Sequence, residues 1–225
     1  MILIKMDRLD FHTHREALPG ETVVCNRMFP FVFPETEEGQ GGGVTYSSVG
    51  LHPWYVPEDW EAAMASVASA TCRPQVVALG ECGLDRVCGV PMELQMAVFE
   101  AHVRLSERLA MPVVVHCVRA LDLLLEVRRR MRPVQPWVWH GFRGGVRQME
   151  QVLRSGMQVS FGIRYAPQAL AACPADAFFL ETDDADASLL AQVYWQAAAV
   201  RGVSPEELLR VQVANFRRFC KANEP

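Results

Sequence analysis

The chain has 225 residues, half of them hydrophobic and 21% charged, with a formal net charge of −4. That length supports one sizeable core, and no apolar stretch approaches the roughly 18 residues that a membrane span requires. The mild acidity gives no broad basic face, so contact with a nucleic acid has to rest on a local positive centre. The opening "MILIKMDRLD" has neither a charged start followed by a long apolar run nor a small-residue cleavage site, so no secretory signal is expected. Seven cysteines with no CxxC pair indicate reduced thiols, and a cytoplasmic location is expected.

Short apolar runs alternate with amphipathic stretches, the pattern of βα units around a parallel sheet. The first strand is read at "RLDFHTH", where a period of two puts Asp10, His12 and His14 on one face and Phe11 and Thr13 on the other. "VVCNRMF" follows, then the loop-like "EEGQGGG" at 37–43, then the strand "VTYSSVGLHP" and a helix over 58–70. The strand "QVVALGECG" precedes a helix over 91–110, in which Leu94, Val98, Ala101, Leu105 and Leu109 form the stripe of a helix packed on a sheet. "PVVVHCV", a helix over 119–131, a turn bracketed by Pro133 and Pro136, "PWVWHGF" and a helix over 146–155 continue the alternation. "MQVSFGI", "AFFLETD" and a helix over 186–201 complete it, and a last helix opens at Ser204, with Pro205 at its first position and Glu207 completing a capping box. Eight strands with intervening helices predict a (β/α)8 TIM-type barrel, with residues 1–225 as a single barrel domain. "REALPGE" is too short and too rich in Pro and Gly to be the helix expected after the first strand, so the barrel is abbreviated near strands 1–3.

Metal-ligating and proton-handling groups recur at the strand ends: His12 and His14, His52, Glu81, His116, His140 and Asp183. Any one of them alone is better read as a hydrogen-bonded strand end. Five of the six histidines at the end where barrel active sites sit point jointly to a metal centre. His102 is the exception, mid-helix, with a structural or solvated role. Trp137 and Trp139 are expected to pack between barrel and helices, whereas Trp54 and Tyr55 suit base stacking if exposed. The run Arg128, Arg129, Arg130 and Arg132 closes a helix, where cations favour the macrodipole.

"DFHTH", "GLHP", "GECGLD", "PVVVHC", "HGFRGG" and "FLETD", in that order and with "VANFRRF" near the end, resemble the motif series of the TatD-related hydrolases. These are metal-dependent deoxyribonucleases of the amidohydrolase-like barrel superfamily. The resemblance implies metal ligands at His12, His14, His116, His140 and Asp183, with Glu81 shared between two divalent ions. Six mixed imidazole and carboxylate ligands suit Zn²⁺ or Mn²⁺, with Mg²⁺ expected to prefer more oxygen. Two such ions against the carboxylates of Glu81 and Asp183 leave about +2 at the site, a draw for an anionic phosphodiester. The implied substrate is DNA or another phosphodiester, with Asp183 and Glu81 as the catalytic carboxylates; no membrane and no protein partner are expected.

His52, Arg119 and Arg143 are read as substrate-phosphate contacts, with an anchor beside Pro53 an equal reading for His52 and a solvated surface group the default for any single arginine; Asp10 is read as an acceptor behind the ligands, and Asp85 as the holder of the loop after strand four. Arg86 is a further candidate phosphate clamp. Three departures bear on specificity. The segment between His14 and His52 is short, "DADASLL" replaces a longer proline-containing stretch, and Arg119 stands three residues after His116 where the family more commonly has its arginine two after. The alternatives are a hydrolase of another small ester or amide, and a low-activity family member working as a binding protein.

Overall fold

The computed structural model describes residues 8–34 and 42–221. Residues 37–41 of the glycine-rich tract lie outside the described residues. The strands are β1 (Arg8–Thr13), β2 (Glu21–Met28), β3 (Val44–Gly50), β4 (Val76–Asp85), β5 (Val113–Val118), β6 (Trp137–Trp139), β7 (Gln158–Phe161) and β8 (Phe178–Leu180). All neighbours pair in parallel and in chain order. A bridge between Thr13 and Asp183, with Asp183 N–H donating to His12 O at 2.9 Å and His14 N–H to Asp183 O at 3.3 Å, draws the last strand back to the first. The fold is therefore a nearly closed TIM-type barrel.

The helices are α1 (Trp60–Ala70), α2 (Met92–Leu109), α3 (Leu121–Met131), α4 (Val146–Arg154), α5 (Pro167–Ala172), α6 (Leu189–Arg201) and α7 (Pro205–Lys221). Asp59 caps α1 by accepting from Ala62 N–H, and Ser204 Oγ accepts from Glu207 N–H at 3.1 Å at the start of α7. The six-residue α5 has no counterpart in the sequence reading, because one and a half turns carry too little periodicity to register. None of the helices is long and apolar enough to cross a membrane, among the described residues.

The expected abbreviation is present and extends further. No described residue between β1 and β3 is helical. Phe29, Phe31 and Phe33 instead pack on Val49, Leu51, Ala63 and Val67, supplying the apolar cover that a helix provides elsewhere. Arg73 lies 4.3 Å over the Phe33 ring.

Two hydrophobic layers result. Between strands and helices lie Trp137, fully buried, and Trp139, as the sequence predicts. Inside the barrel, Phe11, Val24, Val114, Val138 and Phe179 meet Phe216 and Phe219 of α7, which close the lower end. Phe11 stacks on Phe179 with centroids 3.9 Å apart.

That position of Phe11 corrects the strict alternation expected of β1. Its register on β2 slips between Asp10 and Thr13, three steps on one strand matching two on the other. The bulge lets Phe11 and the adjacent His12 serve the same interior. Asp10 accordingly leaves the cluster expected of it: its carboxylate accepts from Thr182 N–H at 2.9 Å, Thr182 Oγ1 at 2.6 Å and Arg15 at 3.3 Å. It ties β1 to β8 just beneath Asp183.

Candidate metal centre

β4 brings Glu81 into the mouth of the barrel, and the flanking glycines of "GECG" explain how. A Cβ on Gly80 (φ +127°) would lie 2.4 Å from Val114 O, and one on Gly83 (φ +151°) 1.9 Å from His116 O. Only glycine lets β4 run this close to β5 in those conformations.

The two oxygens of the buried Glu81 carboxylate face two different sets of nitrogens. Oε1 lies 2.6 Å from His116 Nδ1, 2.7 Å from His140 Nε2 and 3.1 Å from His52 Nε2. Oε2 lies 3.4 Å from His12 Nε2, 4.0 Å from His14 Nε2 and 3.2 Å from the Asn26 amide. Asp183 Oδ1 stands 3.5 Å from His14 and 3.8 Å from His12. Among the described residues, three groups have ligand atoms within 4.8 Å of one another: His12, His14 and Glu81; His12, His140 and Asp183; and His52, Glu81 and His116.

The residues fit a divalent metal on a specific observation. His12 is fully buried, and neither ring nitrogen has a hydrogen-bond partner. A dry imidazole left in that state is costly unless its lone pair is bound. Imidazole with carboxylate is also a donor set for Zn²⁺ or Mn²⁺.

The electrostatics centre on Glu81. Burial pushes its carboxyl up, but His140, His116 and His12 outweigh that and hold it well below the usual carboxylate range. Burial likewise opposes ionisation of Asp183, and the His14 contact together with His140 and His12 lowers it. The Asp183 contact raises His14 above the ordinary histidine value. Burial lowers His52, which is consistent with a neutral ring whose Nδ1 accepts Trp54 N–H at 3.1 Å. With that lone pair engaged, the His52 proton sits on Nε2 and points at Glu81 rather than at open space.

Asp85 accepts Val87 N–H at 2.7 Å just after β4, and it also meets His116 Nε2 at 3.1 Å and the Trp54 indole N–H at 2.5 Å. Arg119 and Arg143 are exposed and line a cavity of about 840 Å³ that reaches His116, His140 and Asp183. Arg86 is no free clamp: both its terminal nitrogens bond Asp122, at 2.7 and 2.6 Å, and one reaches Arg119 O. Two of the arginines closing α3 are also engaged, Arg128 on the Trp137 ring and on Ser155 O, and Arg130 on Glu100.

Residues 35–221 match the family described as TatD related DNase. The chain belongs to that family. It is 31% identical over 208 residues to the 3′-5′ ssDNA/RNA exonuclease TatD of Erwinia billingiae, covering 80% of this chain and 78% of the relative. It is 31% identical over 155 residues to the metal-dependent hydrolase YjjV of Escherichia coli K12, covering 64% of this chain and 60% of the relative. The crystal structure of YjjV, a TatD homologue from that bacterium, superposes with a TM-score of 0.84 at 22% identity, over 97% of this chain and 99% of YjjV.

Within this TatD-type barrel, Asn26 and Glu181 escaped the sequence reading. Asn26 clasps Glu81 from β2. Glu181, fully buried, accepts Gly141 N–H at 2.6 Å and stands 3.6 Å from His140 Nδ1. Each carried one weak signal: a lone amide in the apolar run "TVVCNRM", and a second acid in "FLETD".

Proposed function

We propose that the chain is a metal-dependent phosphodiesterase acting on single-stranded nucleic acid, with TatD-type exonuclease action. The observation that carries this reading is the division of Glu81, one oxygen toward His116 and His140 and the other toward His12 and His14. A carboxylate so placed is suited to be shared by two divalent ions, with Asp183 completing the His12 and His14 side. Such ions supply Lewis acidity for water and for the phosphoryl oxygens.

The protein's own groups take the remaining tasks. Asp183 lines both cavities of the mouth and is held ionised, so it accepts the proton of the attacking water at a carboxylate oxygen. Arg119 and Arg143 hold phosphates beyond the cleaved bond. His52 donates through Nε2 to Glu81, and Glu181 and Asp85 orient His140 and His116 from behind. The names of the relatives support single-stranded DNA or RNA as the substrate class.

The test is cleavage of an end-labelled single-stranded DNA with Mn²⁺, Mg²⁺ or Zn²⁺, beside Asp183→Asn. Metal-dependent laddering from one end that disappears in the variant is expected. Full metal binding with no cleavage of DNA or RNA would overturn the reading and favour a small ester or amide substrate.

A further inference from the structure

Trp54 is about half exposed, at 49%, yet it is fixed in place. Its indole N–H donates to Asp85 Oδ2 at 2.5 Å, and Asp85 is itself buried and bonded to Val87 N–H and His116. The ring therefore cannot turn without breaking a charge-assisted bond. His52, Tyr55 and His116 meet it at 83°, 69° and 78°, with centroids 5.0, 6.2 and 5.8 Å away, so none of the three lies parallel against it.

Its location is equally specific. A cavity of about 230 Å³, walled by Met28, Tyr55 and His14, and the cavity of about 840 Å³ with Arg119 and Arg143 both open onto the ligand cluster. Trp54 lines both. The smaller space is walled in part by apolar and aromatic groups, and the larger carries two cationic side chains. A half-solvated indole is poorly used by packing alone, whereas a rigid one beside a phosphodiester site is a ready stacking surface for any base.

Resting on the phosphodiesterase reading, we propose that Trp54 is the specificity-determining residue of the site: the base adjoining the cleaved bond stacks on its indole. The site thereby favours phosphodiesters that carry a base at that position over those that lack one. Stacking tolerates all four bases, so the preference is for a base and not for a sequence.

The test uses the full chain with Mn²⁺ and single-stranded oligonucleotides in which one nucleotide at a time is replaced by an abasic residue. In the wild type, one abasic position next to the cleaved bond is expected to lower kcat/KM by ~10-fold or more, chiefly through KM, the size of one base–aromatic stack. Trp54→Leu is expected to bring the ratio of intact to abasic substrate close to one. An unchanged ratio in that variant, or no base dependence in the wild type, overturns the proposal.

Binding separates this inference from the reading it rests on. Base-bearing strands should quench indole fluorescence more than an all-abasic strand, and Trp54→Phe should remove that difference even if Trp54→Leu fails to fold. A preserved quench difference with no hydrolysis of any strand would overturn the phosphodiesterase reading while supporting Trp54 as the stacking surface. Equal quenching by both strands overturns the role of Trp54.

Discussion

Asn26 and Glu81, on strands separated by β3, clasp each other with two hydrogen bonds: the Asn26 amide donates to Glu81 Oε2 at 3.2 Å, and Glu81 N–H donates to Asn26 Oδ1 at 2.9 Å. The clasp fixes both the backbone and the carboxylate of the residue on which the ligand groups converge. Asn26→Leu is expected to weaken Mn²⁺ binding ~10- to 100-fold, the usual cost of losing a partner of a metal ligand. Calorimetric titration checks this, and wild-type affinity in a folded variant would refute it.

The side chains of Arg119 and Arg143 form no hydrogen bond or ion pair with other described residues, and they share the larger cavity. If they hold phosphates, Arg143→Ala should raise KM for an oligonucleotide several-fold and make log KM less steep in log salt, by ~0.7 for one lost contact on a single strand. A variant with the wild-type salt slope would remove Arg143 from the binding surface. The same comparison applies to Arg119, which adopts a positive φ of 52°.

Gly83 sits where a methyl group would meet His116 O at 1.9 Å, with a φ that disfavours any side chain. Gly83→Ala should cost ~3 kcal/mol or more, through backbone strain and displacement of β5. A denaturation midpoint within error of the wild type would contradict the close approach of β4 and β5.

His102 is fully buried in α2, donating from Nδ1 to Val98 O at 2.8 Å and accepting Leu51 N–H on Nε2 at 3.0 Å. Burial lowers its pKa from 6.5 to about 4, with the Val98 carbonyl opposing. The unfolded chain therefore takes up a proton near pH 6.5 that the folded chain refuses until about pH 4. Stability from this residue is complete above that window and falls as the pH drops through it, by ~3 kcal/mol in all. His102→Gln should be less stable at neutral pH and should show a shallower loss toward acid in denaturant titrations. Parallel curves for the two proteins would show that His102 is not the titrating group.

The barrel was legible because strands buried on both faces read as continuous runs such as "PVVVHCV", and a His or acid ending such a run stands out. Partnerships made by folding were not legible. Asn26 is one amide among apolar neighbours, Trp54 and Asp85 are 31 residues apart, and nothing in "RLDFHTH" announces the slip that parts Asp10 from His12. Arg86 shows the converse: its place after "GLD" suggested a clamp, and Asp122, remote in sequence, had already taken its fork.

The packed barrel interior, with Phe216 and Phe219 beneath it, makes the site a well rather than a tube. With its lower end stoppered by α7, a polymer cannot thread through the molecule, and under the proposed exonuclease action the strand being shortened and the piece cut from it would share one rim for entry and departure. Under that action, progress along a strand would depend on the released fragment clearing the rim before the new end settles, which would make departure of the small product a natural pacing step.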